Sequence, residues 1–95
     1  MLIEKGFSSN DVVSLKLVNG DELIARFEAE TGDSITISKP LAVTLGPQGL
    51  GMIPWMFLGD KDKYTLQRSH VFAVARSKKD AADQYIHGTT GIALV

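Results

Sequence analysis

Residues 11–45, DVVSLKLVNGDELIARFEAETGDSITISKPLAVTL, contain the pattern that decides the fold of this chain. Apolar and polar residues alternate in three successive runs within this stretch. The apolar positions are Val13, Leu15 and Leu17, then Leu23, Ala25, Phe27 and Ala29, then Ile35 and Ile37. A period of two with one apolar face is typical of a half-buried strand. The stretch therefore predicts three consecutive antiparallel strands.

Short turns connect these predicted strands. Asn19-Gly20 supplies the positive backbone dihedrals that a tight hairpin needs between the first and second strands. Gly32-Asp33 is placed to turn the chain between the second and third. Lys39-Pro40 interrupts the third run, after which the alternation resumes at Leu41, Val43 and Leu45. Because proline cannot donate a hydrogen bond to a neighbouring strand, we expect one long strand that bends there, as at a barrel corner.

Two further strands are predicted after a Gly-Pro-rich connection at residues 46–51. Residues 52–58, MIPWMFL, are predicted to form the fourth, which is apolar on both faces. Such a strand either fills its own core or covers a partner subunit, and we favour the partner because a 95-residue barrel has little material to cover its outside. In that arrangement Pro54 lies at a sheet edge. Residues 64–76 are predicted to form the fifth strand.

The two ends of the chain are predicted to pack on this barrel. Residues 78–88 contain good helix formers, have apolar residues at spacings of three and four, and end at Gly88, a common helix cap. Residues 1–10 are predicted to form an N-terminal arm. Residues 89–95 form an apolar tail that we expect to dock, because it would be adhesive if exposed. The whole chain, 1–95, is predicted to be one domain with its barrel at residues 11–76.

Composition and the available side chains argue against several functional classes. Ten basic and eleven acidic residues give a net charge of −1, without the surplus of Lys and Arg that sequence-blind nucleic-acid binding favours. The chain has no cysteine, and its longest apolar run is too short to span a bilayer. Ser69 and His70 are adjacent on a predicted strand, where neighbouring side chains face opposite ways and cannot act as nucleophile and base. We therefore expect no enzyme activity, no metal, no cofactor, no small-molecule substrate and no membrane partner.

Two motifs resemble those of the Sm-like (LSm) family. Leu17-Val18-Asn19-Gly20 matches the end of the family's first strand, and the following strands match at Ala25, Phe27 and Ser34-Ile35-Thr36-Ile37. Arg68-Ser69-His70-Val71 resembles the family's Arg-Gly-x-x-Val element. Together the motifs span most of residues 11–76, and the general resemblance is to the divergent bacteriophage-encoded members.

The resemblance implies a mainly all-β fold: a small five-stranded, strongly bent antiparallel Sm/SH3-like barrel with a short C-terminal helix. An OB-type barrel is the alternative, but it usually carries a helix where this chain has the loop at residues 46–51. In Sm-like rings the fourth strand of one subunit pairs with the fifth strand of the next, so the resemblance also implies a homo-oligomeric ring. The implied subunit interface comprises Ile53, Pro54, Trp55, Phe57, Val71, Phe72 and Val74.

Single-stranded RNA is the ligand that the resemblance implies, bound at two turns. The matching residues are Asp33, Ser34, Arg68, Ser69 and His70. Arg68 would stack on a base or pair with phosphate, or else form a surface salt bridge. The chain departs from the family because Ser34 replaces its Asn, Ser69 replaces its Gly, and the stacking residue is missing unless His70 supplies it.

Two functions therefore stay open, and the resemblance favours the first of them. One is an RNA-binding ring that acts as an RNA chaperone or regulator. The other is a ring-forming structural or protein-interaction module that has lost RNA binding. Either is expected in the cytoplasm, the host's if the protein is phage-encoded.

Overall fold

A computed structural model describes residues 2–3 and 6–90, and the side chains of residues 6–89. The predicted apolar tail therefore lies outside the described residues from residue 91 onward. The strands are β1 (Leu2–Ile3), β2 (Val12–Leu17), β3 (Glu22–Glu30), β4 (Ser34–Gly46), β5 (Gly49–Pro54), β6 (Lys63–Gln67) and β7 (Val71–Arg76). A 3-10 turn, Arg68–His70, joins β6 to β7, and helix α1 spans Lys79–Thr90. The predicted class, a small bent β fold with a short C-terminal helix, is confirmed.

The strands form one sheet in the order β1-β7-β2-β3-β4-β5, and β6 also pairs with β4. The predicted meander is confirmed, since β2 pairs antiparallel with β3, and β3 with β4. Gly20, with a φ of 100°, lies in the turn between β2 and β3, where the left-handed region suits glycine. Strand β7 lies against the other side of β2, and β1 runs parallel to β7 at Ala73 and Val74.

The predicted bend is confirmed within β4, which continues through Lys39 and Pro40 for thirteen residues. Ile24 of β3 pairs with Leu41, and Arg26 pairs with Ser38, so β4 has one residue more than the facing part of β3. This β-bulge holds Lys39 at a φ of 50°. A bulge of this kind bends its strand and increases the local twist, which curls the sheet around its core.

The fourth strand differs from the prediction because it is interrupted. Strand β5 pairs with residues 41–46 of β4, and β6 pairs with residues 34–38. Both lie on the side of β4 opposite β3, so they form one broken outer edge. Between them residues 55–62, named here the excursion, leave the sheet. The prediction that residues 52–58 form a continuous strand is therefore wrong beyond Pro54, because the bulge in β4 removes the regular ladder that this strand would follow.

The core lies inside the curled sheet and comes mostly from the meander. Its buried members are Val13, Leu15, Leu17, Leu23, Ala25, Phe27, Ile35, Ile37, Val71 and Val74. Burial of each large aliphatic side chain contributes about 1.5–3 kcal/mol. Phe7 of the N-terminal arm packs on Phe27 with ring centroids 5.4 Å apart, so the arm covers part of this core.

The predicted fifth strand is divided by the 3-10 turn, and β7 contains a bulge of its own. Lys16 and Leu17 are neighbours on β2, yet they pair with Ala73 and Val71, which leaves Phe72 as the extra residue. Val71 and Val74 therefore both face the core, with 2% and 3% of their surface exposed, whereas Phe72 is 67% exposed. Simple alternation would instead place Val71 and Val74 on opposite faces.

Helix α1 is anchored by Tyr85, which is fully buried outside the core cluster. The Tyr85 hydroxyl donates to the backbone carbonyls of Lys39, at 2.8 Å, and Ser38, at 3.3 Å. Burial raises the pKa of Tyr85 to about 12, because the phenolate would lose its water. The helix continues past Gly88 to Thr90, so the prediction that it ends at Gly88 is wrong. Thr89 helps to extend it by donating to the carbonyl of Tyr85 at 2.8 Å.

Replacement of Tyr85 by Phe should lower the free energy of unfolding by about 1 kcal/mol at neutral pH, because the carbonyl of Lys39 loses its donor. Folding raises the pKa of Tyr85, so the folded state holds this proton more tightly than the unfolded chain does. The wild-type protein should therefore lose stability as the pH rises from 10 to about 12. The stability difference between the two proteins should shrink over that range.

Urea denaturation at successive pH values measures this difference. Ile86→Ala is the matched control, because Ile86 is the exposed neighbour of Tyr85 on the same helix. If the free energies of unfolding of wild type and Tyr85→Phe differed by the same amount up to about pH 12, the Tyr85 hydroxyl would not have a raised pKa in the folded state, and the interpretation would be wrong.

Candidate functional site

The structure brings the two turns that carry the predicted RNA-binding residues into direct contact. Residues 31–33 connect β3 to β4, and Arg68–His70 connect β6 to β7. The backbone N–H of Arg68 donates to the carbonyl of Asp33 at 2.9 Å, and Ser34 pairs with Gln67. Ser69 and His70 follow Arg68 in the 3-10 turn and are exposed. The sequence predicts that Ser69 and His70 are neighbours on a strand, with side chains that face opposite ways. That prediction is wrong, because both residues lie in a turn.

Arg68 is held by its own chain. Its Nη1 atom donates to Oε2 of Glu30 at 3.1 Å and to the carbonyl of Thr31 at 2.7 Å. The side chain is 26% exposed. A guanidinium that bridges a carboxylate and a backbone carbonyl ties the end of β3 to the 3-10 turn. The salt-bridge role that the sequence left open for Arg68 is thus present in the structure.

Thr31 organises the first turn, although the sequence reasoning did not select it. Its hydroxyl oxygen accepts hydrogen bonds from the backbone N–H groups of Asp33, at 3.2 Å, and Ser34, at 3.1 Å. The hydroxyls of Thr31 and Ser34 lie 3.0 Å apart. The sequence does contain a signal for this role. Thr followed by Gly, Asp and Ser favours a turn in which the threonine hydroxyl accepts hydrogen bonds from the backbone N–H groups two and three residues later.

His70 joins a third turn to the site. Its carbonyl accepts a hydrogen bond from the N–H of Val18 at 3.0 Å, and Val18 lies in the turn after β2. His70 is exposed and its backbone adjoins the turn after β2, so its imidazole is accessible to a stacking base. The charge nearby does not favour phosphate, since the carboxylates of Glu30 and Asp33 outnumber the single guanidinium of Arg68.

The residues predicted at a subunit interface divide into two groups. Ile53, Pro54, Phe57 and Phe72 are exposed. Trp55 is half-buried and packs edge-to-face with Tyr64, with the ring centroids 6.1 Å apart. The predicted interface role of Val71 and Val74 is corrected, because both side chains lie in the core of their own chain. The bulge at Phe72 is the physical reason, since it turns both valines inward and Phe72 outward.

Most large apolar side chains that are exposed lie on the broken outer edge of the sheet. We call one group of these exposed side chains the apolar edge. It comprises Leu50, Ile53, Met56, Phe57 and Leu58. Phe57 is 72% exposed and Leu58 is 98% exposed, because the excursion carries them away from the sheet. Exposed apolar side chains concentrated along one stretch of chain, here residues 50–58, favour a surface that binds a partner.

Two other kinds of site have no basis in the described part of the chain. Residues 2–3 and 6–90 contain no cluster of His, Cys, Asp or Glu large enough to hold a metal ion. Over the same residues no helix has the length and apolarity needed to cross a membrane.

A scan against protein-family models finds no match for this chain, and a search of curated proteins finds none either.

Replacement of Arg68 by Lys should lower the free energy of unfolding by about 1–2 kcal/mol. Lysine keeps the charge but cannot reproduce the guanidinium geometry that reaches both Glu30 and the carbonyl of Thr31. Urea denaturation measures the change. Lys16→Gln is the control, because its ion pair with Glu22 is long, at 3.9 Å, and half exposed, and should contribute at most about 0.5 kcal/mol. Equal losses in the two variants would contradict a structural role for Arg68.

Proposed function

We propose that this chain is a subunit of a homo-oligomeric, Sm-like ring that forms when sheet edges of neighbouring copies pair. The apolar edge is the observation that carries the proposal. Within the described residues, strands β5 and β6 pair with β4 on one side only. The carbonyl of Leu50 accepts a hydrogen bond from the Gln84 side chain of helix α1 at 3.3 Å, so another strand would pair with the rest of this edge. An edge that combines open backbone groups with exposed apolar side chains favours association.

The complementary surface in this proposal is the outer edge of β7. Within the described residues, strand β1 covers that edge at Ala73 and Val74, through a two-residue parallel pairing. Phe72 precedes this pairing on β7 and is 67% exposed. Pairing of two different edges is heterologous, and it closes into a ring when the rotation between subunits permits.

Assembly would bury the apolar edge, which is otherwise exposed to water at a cost in free energy. The free energy of association would come mainly from apolar area, with backbone hydrogen bonds fixing the register. The ring would then act as a structural or protein-interaction module, and we place it in the cytoplasm as part of the same proposal.

Binding of single-stranded RNA is the second candidate function, and the adjoining turns favour it. Each subunit would offer the exposed His70 next to Arg68, and a ring would repeat this weak site around one axis. The carboxylates of Glu30 and Asp33 and the internal bonds of Arg68 weigh against tight phosphate binding. Assembly is therefore the first function and RNA binding the second.

Native mass spectrometry of the full chain should show a single closed oligomer. Ile53→Asp and Phe72→Asp should each raise the concentration at which it dissociates at least about tenfold, equivalent to 1.4 kcal/mol, because a charge would be buried at the interface. Val18→Asp is the control, since Val18 is equally apolar and exposed but lies in the turn after β2. A wild-type monomer at every concentration, or equal effects of all three substitutions, would contradict edge pairing.

Addition of a short oligouridine to the same samples tests the second function. If RNA binds at the adjoining turns, His70→Ala should weaken binding by about tenfold or more, because a stacked base contributes roughly 1–3 kcal/mol. Lys16→Gln, on the exposed face of β2, removes a positive charge elsewhere and serves as the control. An intact ring that ignores oligouridine would leave assembly as the function, and unchanged binding by His70→Ala would place any RNA site elsewhere.

A further inference from the structure

A groove of about 660 Å³ opens between the bend of β4, strand β5, the excursion and the end of helix α1. Its walls include apolar side chains from β4, β5, the excursion and the start of β6, namely Pro40, Leu41, Met52, Pro54, Met56 and Tyr64. The volume lies in the range of grooves that bind small molecules or short peptide segments. Two methionines in the wall suit an apolar occupant of irregular shape, because their side chains adapt to it.

The end of helix α1 forms one rim of this groove. Gly88 and Thr89 line it, and the helix ends at Thr90. The next five residues are Gly91-Ile92-Ala93-Leu94-Val95. We infer that this groove is the docking site of residues 91–95 of the same chain.

The length of residues 91–95 and the glycine at their start both support docking within one chain. Five extended residues span at most about 17 Å, which is enough to cross a groove that begins at the helix end. Glycine is the residue that most often follows a helix, because it can adopt the left-handed conformation that turns the chain back. Gly91 follows Thr90 in the sequence, so a glycine is available for such a turn.

The chemistry of the segment matches that of the groove. Four of its five residues, Ile92 to Val95, have apolar side chains and none is charged. The charged side chains at the rim are Lys39, Lys61 and Asp62, which are of both signs and impose little field on a neutral occupant. Burial of the segment against Met52 and Met56 removes apolar surface from water on both sides of the contact.

Docking would also support the excursion. Met56 belongs to the groove wall and to the apolar edge, and Lys39 fixes the far end of the excursion by donating its N–H to the carbonyl of Asp62 at 2.8 Å. A segment packed behind Met56 would hold the part of the chain that carries Phe57 and Leu58. The inference does not depend on RNA binding or on ring closure.

Cysteine cross-linking tests the inference in the full chain, which has no native cysteine. Under mild oxidation Met52→Cys/Leu94→Cys should form an intrachain disulfide at least about tenfold faster than the control pair Val18→Cys/Leu94→Cys, because a disulfide needs Cα atoms within about 7 Å. Intact mass and non-reducing electrophoresis distinguish intrachain from interchain products. Equal rates for the two pairs would overturn the inference. Cross-links only between mixed single-cysteine chains would overturn it in favour of a neighbouring copy's tail.

A second measurement needs no cross-link. Trp55 is the single tryptophan and its ring packs against Tyr64, which lines the groove, so its fluorescence reports on the groove. Leu94→Asp should shift Trp55 emission to longer wavelength and increase binding of an apolar dye, whereas Val18→Asp should change neither. Identical emission and dye binding in Leu94→Asp and wild type would overturn the inference. The helix should remain folded in both variants, because Tyr85 anchors it independently of the tail.

Discussion

The bulge of β4 at Lys39 and Pro40 is the constraint on which the rest of this structure depends. It bends the longest strand and curls the sheet around its core. The same bulge interrupts the ladder along the outer side of β4, so the neighbouring strand ends at Pro54 and resumes at Lys63. The excursion is the consequence, and it carries Leu58, which is the most exposed large apolar side chain among the described residues.

The polar groups freed by the bulge are satisfied by the elements that surround it. The Lys39 N–H donates to Asp62 at the end of the excursion, and the Pro40 carbonyl accepts from Trp55 at its start. The carbonyls of Ser38 and Lys39 accept from the Tyr85 hydroxyl, which fixes helix α1 on the outside of the sheet. Buried backbone groups require such partners, so the bulge, the excursion and the helix form one cooperative unit. The groove beside them is enclosed by these same elements.

The candidate RNA site shows how one residue can serve structure where a resemblance to Sm-like motifs predicts recognition. The guanidinium of Arg68 joins two turns through Glu30 and the carbonyl of Thr31, and these bonds use part of the donor capacity that a nucleic acid would need. In contrast, Phe57 and Leu58 on the apolar edge are 72% and 98% exposed, so they pack little against the described part of their own chain. This contrast is the reason to rank assembly above RNA binding.

The sequence by itself determined the meander, the bend at Lys39 and Pro40 and most of the core, because a period of two and turn-forming residues are local properties. Only the tertiary structure decided that Val71 and Val74 face inward and Phe72 outward, since the extra residue in β7 is defined by its pairing with β2. It also decided where the fourth strand breaks, because that break depends on the partner strand rather than on residues 52–58 themselves. The partners of Arg68 lie more than thirty residues away along the chain, and no local pattern specifies such contacts. Local periodicity thus fixes which face of a strand is apolar, whereas bulges and long-range hydrogen bonds decide which side chains remain for function.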